Sequence, residues 1–269
     1  MTAGPFYIVL ACDEAYLRPT AVTIRSITSQ PWSSPPTIMV MHSGLPDNRV
    51  AMLRNWVGPV EMVRVPPIKG SGRAVGARGA RHVSEAMYLK IAVPDHSPGD
   101  AEKVLYLDSD TLVTGPVEEL FAMDLAGKCL GAVQDRFVNG THLPEIERSD
   151  TGYFNSGVLL FDVEAARRHG LGERTLAYAE RKYGTLPYPD QDALNVAAAD
   201  CWTPLESRWN RMLGEGIKAR GSAEQHNEMS GARIIHLPGP TKPWSDDFPA
   251  GPILDEYMKH SASIPDPKR

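Results

Sequence analysis

Cysteine is scarce. The chain has three in 269 residues, Cys12, Cys129 and Cys201, widely spaced and with no Cys-x-x-Cys pair. That spacing excludes a local zinc knuckle, and the odd count argues against a disulfide framework, so free thiols in a reducing cytosol are expected. Long apolar runs are also missing. The stretch 6–11 is far too short for a membrane span or for the apolar region of a secretory leader, and no basic residue precedes it. The expectation is a cytoplasmic protein without an integral membrane segment. In that setting the Asn139-Gly140-Thr141 glycosylation triplet is a chance match. Positive charge is not in excess: 28 Lys and Arg face 33 Asp and Glu, a net charge of -5, which argues against a general nucleic-acid binder. No charge block, internal repeat or linker interrupts the chain before about residue 202.

What is present is an ordinary globular composition, 42% hydrophobic and 23% charged, over a length that suits one large α/β domain or two small ones. The absence of a linker favours a single domain over 1–269, with 245–269 as a peripheral C-terminal tail. Residues 6–11, 37–41, 60–65, 103–107, 130–134 and 157–161 read as strands. Helical patterning falls at 21–29, 46–56, 84–93, 163–168, 171–182 and 190–199. Pro19 suits a helix first turn, Asp47 is a plausible N-cap, and Pro94 is expected to terminate the helix before it. Alternating strands and helices predict an α/β fold with a mostly parallel central sheet and helices on both faces. Residues 69–81 carry Lys69, Arg73, Arg78 and Arg81 with no acid, and read as a basic loop. Gly70, Gly72 and Gly76 miss the dinucleotide fingerprint by one residue and follow no strand, so a Rossmann cofactor site is rejected there.

Four islands carry chemistry: Asp108-Ser109-Asp110, closing the apolar run 104–107; 153–158 (Tyr-Phe-Asn-Ser-Gly-Val); Asp190-Gln191-Asp192; and 236–244 (His-Leu-Pro-Gly-Pro-Thr-Lys-Pro-Trp). Each has a plain structural alternative. Asp and Ser make turns after strands, residues 153–158 can be a tight turn, acids after Pro189 suit a helix first turn, and a histidine ending an apolar run is usually structural. Two carboxylates at the carboxyl end of a buried strand also form a divalent-metal site at the ligand crevice of an open sheet.

Together, in this order and spacing, the islands resemble the retaining glycosyltransferases of family 8, the glycogenin and lipopolysaccharide-galactosyltransferase type. The resemblance runs from the first strand to Trp244. It implies a GT-A nucleotide-sugar domain with Asp108, Asp110 and His236 on a divalent ion, Mn²⁺ as a rule, with Mg²⁺ as the alternative. It implies Lys242 and Gly239 at the diphosphate, and Ala11, Asp13 and Tyr16 at uridine, with Ser109 beside them. Lys90, Asp135, Asn155, Asp190 and Gln191 fall at the donor sugar, and His82 near the acceptor. Two departures stand out. Ala15 replaces a polar nucleotide contact, and Lys90 stands where relatives carry arginine, which loses a planar fork.

The resemblance also implies retention of anomeric configuration, with catalytic roles for Gln191, Asp190 and Lys242. An amide oxygen is a poor nucleophile and Asp192 is the nearest ionisable alternative, so front-face attack is favoured over a covalent intermediate. The expected function is transfer of galactose or glucose from a UDP-hexose to a hydroxyl of a saccharide or other acceptor, with no nucleic-acid partner. Residues 69–82, 137–150 and 212–228 are the expected acceptor loops. Two alternatives stay open: a self-glucosylating primer, for which Tyr178, Tyr183 and Tyr188 are candidate acceptors, and a silent nucleotide-sugar-binding protein.

Overall fold

The computed structural model describes residues 5–66, 86–146, 152–182, 184–213, 217 and 220–265. The basic stretch 69–81, His82 and Tyr183 lie outside the described residues. In chain order the first half runs β1 (Tyr7–Ala11), α1 (Leu17–Thr28), β2 (Thr37–His42), α2 (Asp47–Val57), β3 (Glu61–Arg64), α3 (Ala86–Leu89), α4 (Val93–His96), β4 (Lys103–Leu107), β5 (Thr111–Val113), α5 (Glu118–Phe121) and β6 (Leu130–Gln134). The second half adds β7 (Phe154–Asp162), α6 (Val163–His169), α7 (Leu171–Arg181), α8 (Pro189–Ala197), β8 (Trp202–Pro204), β9 (Arg211–Met212), α9 (Ser222–Met229), β10 (Ile234–His236) and α10 (Pro252–Ser261).

Seven strands form the main sheet in the order β3-β2-β1-β4-β7-β6-β8. All neighbours are parallel except β7, which runs antiparallel to both β4 and β6. Both faces of the inner strands β1, β4 and β7 are covered, which is why these strands read as apolar runs. Ile8, Leu10, Leu105 and Leu107 turn to one face, where α1 packs Leu17, Ala21, Ile24 and Ile27. Val9, Ala11, Val104 and Tyr106 turn to the other, against Leu89, Val93, Val163 and Leu194. The segment after residue 245 contributes α10, and its Ile253 and Tyr257, four residues apart, are buried in the same cluster as α1.

Three local expectations are corrected. Pro94 does not end a helix. After α3 the chain tightens into a 3₁₀ turn at Lys90–Ala92, and Pro94 sits in the first turn of α4, where its missing N–H costs nothing. Asp47 is the first residue of α2 rather than its cap; Pro46 holds the cap position and no side chain caps the helix. Cys129 and Cys201 are not free thiols: they form a disulfide, and only Cys12 is a free cysteine. Leu130 pairs with Trp202, so the two cysteines immediately precede the paired residues of β6 and β8, and the bridge pins the edge strand at its start. The thiol argument for a reducing compartment therefore lapses. His169 lies close to both sulfurs, but the Arg174 guanidinium packs against its ring, 3.4 Å from Nδ1, and fills that corner with positive charge. Among the described residues, no helix is long and apolar enough to cross a membrane.

Candidate active site

The site lies where the carboxyl ends of β1 and β4 meet the irregular start of β7. Gln134 of β6 pairs with Phe154, yet Ala132 pairs with Leu159, so the single residue between them on β6, Val133, is matched by four on β7, residues 155–158. This bulge lifts Asn155, Ser156 and Gly157 out of the β6 ladder and turns them into the crevice. On the other edge Asp108 N–H donates to the Gly157 carbonyl at 2.8 Å, placing the first aspartate beside them. A second sheet of three strands, in the order β5-β10-β9, delivers the last motif: His236 pairs with Thr111, and Leu237 N–H donates to Asp110 O at 3.1 Å. Two motifs 126 residues apart are joined by one antiparallel pairing.

Two charge clusters result. In the first, Lys90 is 2% exposed and its Nζ lies 3.0 Å from Asp108 Oδ1, 2.9 Å from Asp190 Oδ2 and 3.2 Å from Ser156 Oγ. Burial works against the ammonium, but Asp108 and Asp190 outweigh it and hold its pKa above the ordinary lysine value. The 3₁₀ turn before Pro94 is what carries Lys90. Tyr106 hydroxyl donates to Asp108 Oδ1 at 2.7 Å, so that oxygen is held from two sides.

In the second cluster Lys242 binds Asp110 Oδ2 and donates to the Leu237 carbonyl at 2.6 Å. His236 Nε2 sits 3.3 Å from Asp110 Oδ1 and 3.9 Å from Asp108 Oδ2. Burial favours the neutral acid at Asp110, but Lys242 and His236 outweigh it and hold the carboxyl far below the usual range. One ligand atom from each of Asp108, Asp110 and His236 falls within 4.8 Å of the others. Asp110 Oδ1 is buried and accepts no hydrogen bond, a state that a cation would satisfy. Two hard carboxylates and one imidazole suit an octahedral ion such as Mn²⁺. The residues fit a divalent metal.

The remaining expected residues surround this centre. Asp135 Oδ2 accepts from Asn155 Nδ2 and Gln191 Nε2, each at 3.1 Å. Gln191 Oε1 accepts from Ser156 N–H at 3.0 Å and Asn155 Nδ2 at 3.2 Å. Asp13 Oδ1 accepts from Tyr16 N–H at 2.9 Å, organising the turn into α1. Tyr16 meets Trp244 edge-on with ring centroids 5.8 Å apart, so the end of the last motif supports the first. Ser109 faces inward: its hydroxyl bonds Ala11 O and Thr20 Oγ1, each at 2.9 Å. Gly239 holds φ +98°, a left-handed conformation that glycine adopts readily. Nothing in the sequence pattern marks Asn210, Ser156 or Gly157 individually. Asn210 follows β8 in an unremarkable Arg-Trp-Asn run, and no spacing signalled it.

The profile of the family described as Glycosyl transferase family 8 matches residues 7–247. The chain is a family 8 glycosyltransferase. This glycosyltransferase is 28% identical to General stress protein A of Bacillus subtilis (strain 168), over 94% of its own length and 92% of that protein. It is 27% identical to the lipopolysaccharide glucosyltransferase WaaO of Escherichia coli (strain K12) over 68% of the chain, and spans 56% of that relative. Among solved structures, the galactosyltransferase LgtC in complex with donor and acceptor sugar analogs superposes with a TM-score of 0.79 at 26% identity, covering 96% of each chain. The fold is the α/β GT-A architecture.

Within the glycosyltransferase, the hydrogen bonds of Asp192 are not to the Asp108, Asp110 and His236 group. Its Oδ1 accepts from Tyr153 hydroxyl at 2.6 Å and contacts His142 Nε2 at 2.9 Å, while Oδ2 accepts from Tyr188 N–H at 3.0 Å. Next to Asp135 opens a cleft of about 490 Å³ bounded by Arg136, Phe137, Asn139, His142 and Tyr188. Among the described residues, Phe137 and Tyr188 are two of the few large hydrophobic side chains left exposed.

Proposed function

We propose that the protein is a metal-dependent, retaining hexosyltransferase that uses a UDP-hexose, UDP-galactose or UDP-glucose, and passes the sugar to a hydroxyl of a separate acceptor. The observation that carries this reading is the convergence of Asp108, Asp110 and His236, with an Asp110 oxygen that accepts no hydrogen bond and Lys242 alongside. When bound, a divalent ion supplies Lewis-acid stabilisation of the diphosphate leaving group. Asp108, Asp110 and His236 would hold it. Lys242, an ammonium at the edge of the same cluster, would stabilise the charge that develops on the diphosphate. Ala11, Asp13 and Tyr16, at the end of β1, take the uridine, with Trp244 bracing Tyr16.

Lys90, Asp190, Asp135 and Gln191 face the donor sugar. Gln191 Oε1 is engaged by Ser156 and Asn155, and Asp192 by Tyr153, His142 and Tyr188. Neither is a free nucleophile, which favours front-face attack with the leaving phosphate oxygen taking the acceptor proton. The cleft beside Asp135 suits a saccharide acceptor: Phe137 and Tyr188 offer faces to a sugar ring, and Arg136, Asn139 and His142 offer polar edges.

A panel of UDP-sugars scored for UDP release with Mn²⁺, then with EDTA, tests the reading without a known acceptor. Release from UDP-hexose that EDTA abolishes supports it, and EDTA-insensitive release contradicts it. The self-glucosylating alternative is disfavoured at Tyr178, which is buried, whereas Tyr188 is open. Intact mass after incubation with UDP-glucose separates the two, because only a primer gains hexose units.

A further inference from the structure

The bulged segment at the start of β7 has a role beyond touching the sugar. Asn155 is 5% exposed, and every hydrogen-bonding position of its amide is taken within the protein. Its Nδ2 donates to Asp135 Oδ2 at 3.1 Å and Gln191 Oε1 at 3.2 Å. Its Oδ1 accepts from Gly157 N–H at 3.0 Å and from Asn210 Nδ2 at 2.9 Å. Two donors and two lone pairs are all an asparagine has, so nothing remains for a sugar hydroxyl.

The same contacts orient the groups without ambiguity. A backbone N–H can only donate, so the atom facing Gly157 N–H must be the Asn155 oxygen. The Asn210 atom facing that oxygen must then be its NH₂, and the other end of Asn210, turned to His236 Nδ1 at 3.2 Å, must be its oxygen. His236 Nδ1 therefore carries the ring proton. Its Nε2 is thereby turned toward Asp110 Oδ1 at 3.3 Å and Asp108 Oδ2 at 3.9 Å. At the far end, Ser156 N–H donates to Gln191 Oε1 and fixes that amide in the same sense.

We propose that Asn155 and Asn210 are positioning residues that lock His236 in its Nδ1–H form and aim Nε2 at the two aspartates. This rests on the metal reading above, and it moves Asn155 from gripping the donor sugar to holding the metal ligand. The relay also joins the two ends of the site. Asp135 and Gln191 at the sugar end connect through Asn155 and Asn210 to His236 at the diphosphate end.

The test begins with the unmutated protein. Metal-free protein labelled with ¹⁵N-histidine, at about pH 8 where a typical imidazole is neutral, is measured by long-range ¹H–¹⁵N correlation. The His236 signals are identified by their loss in His236→Gln. The expected result is a protonated Nδ1, the nitrogen that free neutral imidazole side chains prefer to leave bare. An unprotonated Nδ1 overturns the proposal. In Asn210→Ala the tautomer should revert, and the affinity for Mn²⁺ in the presence of UDP, read from the EPR signal of free Mn²⁺, should fall about 10- to 100-fold. Asn155→Ala should lose Mn²⁺ affinity with UDP alone, where no sugar is present to grip. An Asn155→Ala protein with wild-type Mn²⁺ affinity and weakened binding of UDP-hexose only overturns the relay and restores the sugar contact. A wild-type protein that binds no Mn²⁺ yet shows the expected tautomer refutes the metal reading and leaves the relay standing.

Discussion

Gly157→Ala should remove the metal site while sparing the fold. An added Cβ would lie 2.1 Å from His236 Cε1 and 2.7 Å from each ring nitrogen. Carbon atoms pack comfortably at about 3.5–4.0 Å, so the imidazole must withdraw by about 1.4 Å or more. Metal–ligand distances tolerate only about 0.2 Å. The ring has no easy retreat, because β10 is paired with β5 on one side and β9 on the other. Gly157 does not hold a left-handed φ, so the backbone itself accepts alanine and the cost is steric. Overpacking of this kind costs about 1–3 kcal/mol, and each kcal/mol lowers the melting temperature of a domain this large by about 2–4 °C. The expected variant is therefore folded, melts lower by about 2–12 °C, and binds Mn²⁺ at least about 100-fold more weakly through loss of His236 as a ligand. Thermal denaturation and Mn²⁺ EPR read the two effects separately. A folded Gly157→Ala protein with wild-type Mn²⁺ affinity would refute the placement of His236 against Gly157, and with it the assignment of His236 to the metal.

Three further outcomes are expected. The disulfide closes a separation of 72 residues, so loop-closure entropy gives a stabilisation of about 4 kcal/mol; reduction should lower the melting temperature without abolishing UDP-sugar turnover, and an unchanged melting curve would contradict the pairing. Stability should fall in alkali, because burial raises the Cys12 thiol from 9.0 to about 12 and the Tyr178 hydroxyl from 10.0 to about 12, with Tyr153 raised by burial and by Asp192. Above about pH 9 the unfolded chain loses these protons first and binds fewer than the native state, so the stability present below pH 9 declines as pH rises through the native values; denaturant midpoints that rise above pH 9 would sink the idea. Asp192→Asn weakens the pins on Tyr153 and Tyr188 and should destabilise by about 1–3 kcal/mol yet retain turnover; a stable variant with activity lost more than a thousandfold would make Asp192 the nucleophile.

Strands were legible where burial on both faces leaves a sharp chemical edge. Residues 103–107 and 130–134 match β4 and β6 to the residue, because each apolar run stops at a polar or looping neighbour. Asp108, Asp110 and His236 were legible as members of ordered motifs, and the structure brings their ligand atoms together. The misses have a common cause in topology. Cys129 and Cys201 become neighbours only because β8 pairs with β6, a contact that local spacing cannot carry. Pro94 reads as a stop because it cannot continue a helix, yet a new helix begins around it once a 3₁₀ turn intervenes. Asn155 was legible as a site residue but not for its task. Its partners Asn210 and Gly157 reach it through a bulge and a distant strand, and amides carry no periodic signal.

If Asp108, Asp110 and His236 form one metal site that holds the leaving group, titration of Mn²⁺ into the protein with saturating UDP, followed by EPR of free Mn²⁺, should distinguish the wild type from Asp110→Asn. The expected result is one tightly bound Mn²⁺ per chain in the wild type, and its loss in a folded Asp110→Asn protein. Stoichiometric Mn²⁺ binding that survives Asp110→Asn undiminished would contradict it.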